Sequence, residues 1–162
     1  AMGVSEADLL NAYRVAAVNP LPCHLVKEAP CQEVVHQEFD VRTLLPVPTH
    51  SEHDSGPYIT AGFVLERNPK TGIQNVSINR IQVNSKDRMA VLILPRHLHA
   101  FQQAAEEMNQ PLPVAVVIGV DPLTLLASQA IAPIDSDELE IAGALHGTPL
   151  DVVKCLSNDV VR

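Results

Sequence analysis

Tryptophan is absent, and aromatic residues make up only 3% of the 162-residue chain. Base-stacking platforms are built from aromatic side chains, so a single-strand nucleic-acid binder is disfavoured. Basic residues are scarce as well: 11 Lys and Arg stand against 19 Asp and Glu, for a net charge of −8. That balance repels polyanions and excludes nucleic acid as a partner. Glycine numbers only 7 and no Gly-x-Gly occurs, which rules out both a dinucleotide fingerprint and a P-loop. Cysteine is limited to Cys23, Cys31 and Cys155, an odd count with no Cys-x-x-Cys. Neither a zinc knuckle nor a disulfide framework fits, and three reduced, buried or inert thiols in a cytoplasmic protein are expected. No apolar run exceeds about seven residues, whereas a bilayer span needs about 20, and no N-terminal signal peptide is visible.

What remains is a chain that is 46% hydrophobic and 19% charged, enough apolar material for one core and too little charge for disorder. Residues 1–3 read as an expression remnant, residues 4–47 as an N-terminal helix and connector, and residues 48–162 as the main domain. The chain stops in mid-pattern at Val161-Arg162, so a fragment of something longer is expected.

Hydrophobic periodicity predicts a helix from Ser5 to Ala17, with Ser5 as cap and Asn19-Pro20 as stop. A proline-rich connector follows, with short strands expected at Val34-Val35 and from Phe39 to Leu45. Strands from Tyr58 to Glu66 and from Gln74 to Val83 flank the turn signal Asn68-Pro69-Lys70-Thr71-Gly72 and predict a hairpin. Neither face of the second strand is cleanly apolar, so it should line a site as well as a core. Further strands are expected from Met89 to Leu94, from Pro111 to Gly119 (buried) and from Leu150 to Leu156. Helices are expected from Arg96 to Met108, from Asp121 to Ala130 and from Asp135 to Leu145. A hairpin followed by alternating strands and helices favours an α+β domain around an antiparallel sheet or small barrel.

Four stretches carry chemistry. His50-Ser51-Glu52-His53-Asp54 packs two imidazoles and two carboxylates together, a set that suits zinc but also an ordinary solvated loop. Asn75-Val76-Ser77-Ile78-Asn79-Arg80 is a polar strip on a strand, which must find partners unless it faces water at an edge. Pro95-Arg96-His97-Leu98-His99 lies at a strand-to-helix junction, where free amides and a guanidinium favour an anion such as phosphate. Asp135-Ser136-Asp137-Glu138-Leu139-Glu140 opens a helix, as dipole compensation or as a source of a carboxylate for Mg²⁺ or Mn²⁺.

The order and wording of these segments resemble the UbiD family of reversible decarboxylases. The resemblance is carried by Pro48-Thr49-His50, the run from Asp54 to Gly62, Asn68-Pro69-Lys70-Thr71-Gly72, Asn75 to Arg80 and Leu94 to Leu98. Ala115 to Pro122, Asp137-Glu138-Leu139 and Ala142 to Leu145 extend it. Pro122 to Ser128 looks most like members acting on hydroxybenzoate-type aromatic acids. The resemblance implies an FMN-binding split β-barrel, like that of flavin reductases, with flanking helices. It implies prenylated FMN as cofactor, with Mn²⁺ and K⁺ at its phosphate. By position it makes Asn75, His97 and Glu138 the Mn²⁺ ligands and Arg80 the catalytic arginine. Ile78, Asn79, Arg80, Arg96, His97, Ala130 and Glu138 become cofactor contacts. Carbonyls of Val76, Ala127, Ser128 and Ala130 fall near K⁺ and phosphate. The cofactor would carry the difficult chemistry, and Arg80, always protonated, would hold a substrate carboxylate.

The family's acidic proton donor lies beyond the segment resembling Val153 to Asp159, so no residue here is assigned that role and the isolated piece is expected to be inactive. Implied partners are a small aromatic carboxylic acid, a flavin prenyltransferase supplying the cofactor and further copies of the full-length enzyme. Two other readings compete: a stand-alone flavin-binding or scaffold domain, and a metal hydrolase built on His50, His53 and Asp54.

Overall fold

The computed structural model describes residues 2–162; Ala1, the first residue of the expected expression remnant, lies outside them. A short 3-10 turn at Glu6–Asp8 leads into helix α1 (Leu9–Val18), which ends at Asn19 as expected. The Ser5 hydroxyl accepts no backbone amide as a cap would; it donates to the Asp8 carboxylate at 2.6 Å, while the Ser5 carbonyl accepts the Asp8 amide. The proline-rich connector contains an unexpected strand, β1 (His24–Val26). The strands expected at Val34-Val35 and from Phe39 to Leu45 do not form. Asp40 instead accepts from the Arg42 amide and nucleates a single helical turn, α2 (Val41–Leu44). A capping carboxylate of this kind outweighs the weak strand propensity of an exposed segment.

The hairpin forms as the sequence predicts. Strand β2 (Tyr58–Arg67) pairs antiparallel with β3 (Gln74–Val83), with Glu66 opposite Asn75 and a bulge between Ile59 and Gly62. Strand β4 (Met89–Val91) pairs with the far end of β3, and β5 (Val114–Val117) with β2. The sheet order is β4-β3-β2-β5. The segment from Pro111 to Gly119 is therefore an edge, not a buried strand: Val114 and Val117 are 44% and 38% exposed. Helix α3 is His97–Glu107, α4 is Pro122–Ala127 and α5 is Glu138–His146. Asp121 and Asp137 cap α4 and α5 by accepting from backbone amides. Gly147, at φ 76°, closes α5 in the left-handed conformation. Strand β6 (Asp151–Val153) then runs parallel to β1, far from it in sequence.

Both faces of the hairpin are covered, which explains its apolar run. Val64, Ile81 and Val83 pack with Leu98 of α3 and Val41 of α2. Phe63, Leu65 and Val76 pack with Leu139 of α5 and Val161. A third cluster joins Ala16 of α1 to Leu123 and Ala127 of α4 and to Ile141, Ala142 and Leu145 of α5. Cys23 and Cys155 are half-buried, but Cys31 is exposed, against the expectation of three sheltered thiols. Burial pushes the Cys23 thiol up to about 12. No described helix is long and apolar enough to cross a membrane.

Glycine at position 62, beside the bulge, has a steric reason. A Cβ there would collide with the Ile81 side chain, which is fully buried, and would crowd the Asn79 carbonyl oxygen at 3.3 Å. Gly62→Ala should therefore cost about 1–3 kcal/mol through overpacking. For a chain of this size that lowers Tm by roughly 2–10 °C in a thermal melt; an unchanged Tm would mean that Ile81 repacks freely.

Candidate functional site

Strand β4 is shorter than its sequence suggests, and the site exists because of it. Pairing with β3 covers only Ile81 to Val83. Leu92 to Leu94 leave the ladder, and Pro95 turns the chain into α3. The first half of β3 thus keeps β2 on one side but has no strand on the other. Its exposed backbone edge opens into a cavity of about 490 Å³. Asn75, Val76, Ser77, Ile78 and Asn79 form one wall, Leu94, Arg96, His97 and Leu98 a second, and Ser128 to Ala132 with Glu138 a third. The polar strip on β3 is therefore the lining of a pocket inside the sheet, not an edge facing water.

The open edge is partly satisfied by α5. Glu138, the first residue of that helix, accepts the Val76 amide on Oε2 at 2.9 Å. The Asn75 Oδ1 and His97 Nδ1 atoms lie 2.9 Å apart. Because Oδ1 can only accept, Nδ1 carries the proton in this contact. Asn75 Nδ2 donates to Oε1 of the buried Glu66 on the neighbouring strand. The N-terminus of α3 adds free amides: Arg96 occupies the cap position, and no side chain bonds to the first turn.

Acid is concentrated behind this cavity. Burial pushes the Glu66 carboxyl up to about 8, with the nearby Glu138 raising it further. Burial also pushes Glu138 up to about 7 and Asp137 up to about 6. Arg67, which bonds the Gly72 carbonyl at 2.7 Å, is the cation that bears on Asp137. Oε2 of Glu66 and Nε of Arg67 are buried without partners. Acids under-compensated in this way are a ready environment for a cation, whose charge would lower all three.

The donor set fits a hard divalent ion. An amide oxygen, an imidazole nitrogen and a carboxylate suit Mn²⁺ or Mg²⁺ better than a soft metal. The exposed Arg96 guanidinium and the free amides of α3 fit a phosphate.

The structure thus brings Asn75, Ile78, Asn79, Arg96, His97, Ala130 and Glu138 to one cavity. Val76 and Ser128 line it too, whereas Ala127 is buried in the helical core and its carbonyl accepts the Ala130 amide. Arg80 is not part of the lining. It is exposed further along β3, its guanidinium 5.6 Å from the centre of the Tyr58 ring. The His50 to Asp54 segment is a solvated loop. His50 bonds the Tyr58 carbonyl at 3.1 Å, Asp54 accepts the Ser51 amide, and His53 faces the exposed Glu52 at 3.4 Å. Among the described residues no three His, Cys, Asp or Glu side chains gather as a metal site. Sequence reasoning missed Glu66. Its one signal was a carboxylate interrupting the apolar run Phe63-Val64-Leu65, which reads equally well as a strand end reaching water.

Over residues 24–161 the chain matches the family described as UbiD, the 3-octaprenyl-4-hydroxybenzoate carboxy-lyase Rift-related domain. It is 47% identical over 116 residues to the anhydromevalonate phosphate decarboxylase of Methanothermobacter thermautotrophicus, covering 72% of this chain and 27% of that protein. It is 33% identical over 162 residues to the gallate decarboxylase of Lactiplantibacillus plantarum, covering 93% of this chain and 33% of that one. Among solved structures, it superposes on an evolved dimeric form of the UbiD-class enzyme HmfF from Pelotomaculum thermopropionicum in complex with prFMN. The TM-score is 0.95 at 46% identity, covering 99% of this chain and 38% of that one. The chain spans about a third of the length of these relatives.

The raised carboxyls set a pH dependence. Between the ordinary value of 4.5 and about 8, folded Glu66 keeps a proton that the unfolded chain has lost. Stability is therefore full below that window and falls as pH rises through it. In chelator-treated protein, Tm should be several degrees higher near pH 6 than near about pH 8.5, and Glu66→Gln should flatten the profile. A wild-type Tm that rises over that interval would contradict the burial argument.

Proposed function

Because the chain belongs to the UbiD family, we propose that it is the cofactor-binding part of a decarboxylase using prenylated FMN, with Mn²⁺ and K⁺ at the cofactor phosphate. One observation carries this reading: the open edge of β3, the N-terminus of α3 and Glu138 converge on a single cavity. Asn75, His97 and Glu138 would hold Mn²⁺. Arg96 and the first-turn amides of α3 would hold the phosphate, with Ile78, Asn79 and Ala130 against the cofactor. Backbone carbonyls near Val76, Ser128 and Ala130 suit K⁺, a hard cation that takes oxygen ligands. The four-stranded sheet is read as part of a flavin reductase-like split barrel.

When bound, prenylated FMN supplies the electron sink for loss of CO₂. The residues of this chain position and neutralise. Arg80, beyond the cavity lining, offers a fixed positive charge to a substrate carboxylate and cannot itself surrender a proton. To hold a cation, the His97 imidazole would have to present a lone pair where it now offers Asn75 a proton. The proton returned to the product comes from an acid that no residue of this chain is assigned to provide, so the isolated chain should bind without turning over.

The substrate is read as an aromatic, hydroxybenzoate-type acid in a cytoplasmic, homo-oligomeric enzyme that receives its cofactor from a flavin prenyltransferase. Similarity to gallate decarboxylase supports the aromatic class. A second reading, a phosphate-bearing acid of the anhydromevalonate kind, is favoured by the higher identity to that relative. Supplying each acid to the full-length enzyme and measuring CO₂ separates the two.

The binding reading is tested on the chain itself. Titration with Mn²⁺ followed by electron paramagnetic resonance should show one site, and prenylated FMN absorbance should survive desalting. His97→Ala should weaken Mn²⁺ by about 100-fold or more, beyond the usual cost of losing an outer partner. Arg80→Ala should leave both signals in place. Loss of metal in the Arg80 variant, or its retention in the His97 variant, would overturn the assignment.

A further inference from the structure

We propose that Glu66 is a positioning residue for Asn75: its carboxyl holds the Asn75 amide in the orientation that presents Oδ1, not Nδ2, to His97 and the cavity. The inference rests on the reading that Asn75, His97 and Glu138 hold a cation. The two ends of an amide side chain have nearly the same shape, so packing alone does not choose between them. The choice is made by hydrogen bonds. Glu66 is fully buried and lies directly opposite Asn75 in the β2–β3 register. Oε1 of Glu66 accepts from Asn75 Nδ2, and the other end of the amide then meets His97 Nδ1 at 2.9 Å.

With Nδ2 turned inward, the site would show a donor where a cation needs a lone pair. Glu66 does not line the cavity, so it acts only through Asn75. It is also a poor choice for stability alone. Its second oxygen is buried without a partner, and an apolar side chain at this strand position would avoid that desolvation. A costly buried carboxyl set against one end of one amide is what an orienting role requires.

The test uses the 162-residue chain and two readouts besides activity: Mn²⁺ affinity, and hydrogen exchange of the Asn75 side-chain amide by nuclear magnetic resonance without metal. Glu66→Leu should weaken Mn²⁺ by roughly 10–100-fold, as loss of an outer partner does, and should expose the Asn75 amide to exchange while Tm holds or rises. Glu66→Gln, whose Oε1 can still accept, should stay near the wild type in both readouts. Wild-type affinity and unchanged exchange in Glu66→Leu would overturn the proposal. Should that variant fail to fold, Glu66→Met, of similar volume and without the carboxyl acceptor, is read by the same two measurements, and wild-type behaviour there would do the same. If the wild type takes up no Mn²⁺, the metal reading falls by itself. Asn75 exchange then decides the orienting contact: protection lost in the Leu variant supports it, and equal protection in both refutes it.

Discussion

The amide of Val76 has no strand partner on its outer side, and the Glu138 carboxylate supplies one from 62 residues away. Much of the architecture follows from that single bond. It docks the first turn of α5 onto the sheet, at the place where β4 has already left it. With α5 fixed there, its apolar residues reach both the sheet cluster and the helical cluster, and the chain beyond Gly147 returns to pair with β1. An unpaired buried N–H would be expensive. A carboxylate accepting it is strongly bound but must itself leave water.

That requirement explains the electrostatics of the region. Glu66, Asp137 and Glu138 all titrate well above their ordinary range for the same first reason, burial. A fold selected for stability alone would remove such groups; a functional site retains them. Glu138 lines the cavity itself, together with Arg96.

Legibility from sequence varied by element for identifiable reasons. The hairpin was readable because its turn residues and its apolar run agree. Helices α3, α4 and α5 were readable because periodicity agrees with local caps such as Asp121 and Asp137. The strand β1 was not, because a three-residue segment among prolines acquires strand geometry only from β6. The edge position of β5 was not readable either, since Val-rich runs look alike in a central strand and at a border. The site residues were named through family wording rather than periodicity. Seven of them meet at one cavity, and Arg80 stands outside it.

The sequence by itself determined the α+β class, the hairpin and the caps, because those depend on neighbours within a few positions. Tertiary structure alone decided where β4 stops, and so whether the polar face of β3 would be paired, solvated or turned into a pocket. It also decided the meaning of Glu66. A lone carboxylate in an apolar strand has no evident purpose until the opposing strand sets an amide against it and α3 sets a histidine on the amide's other side.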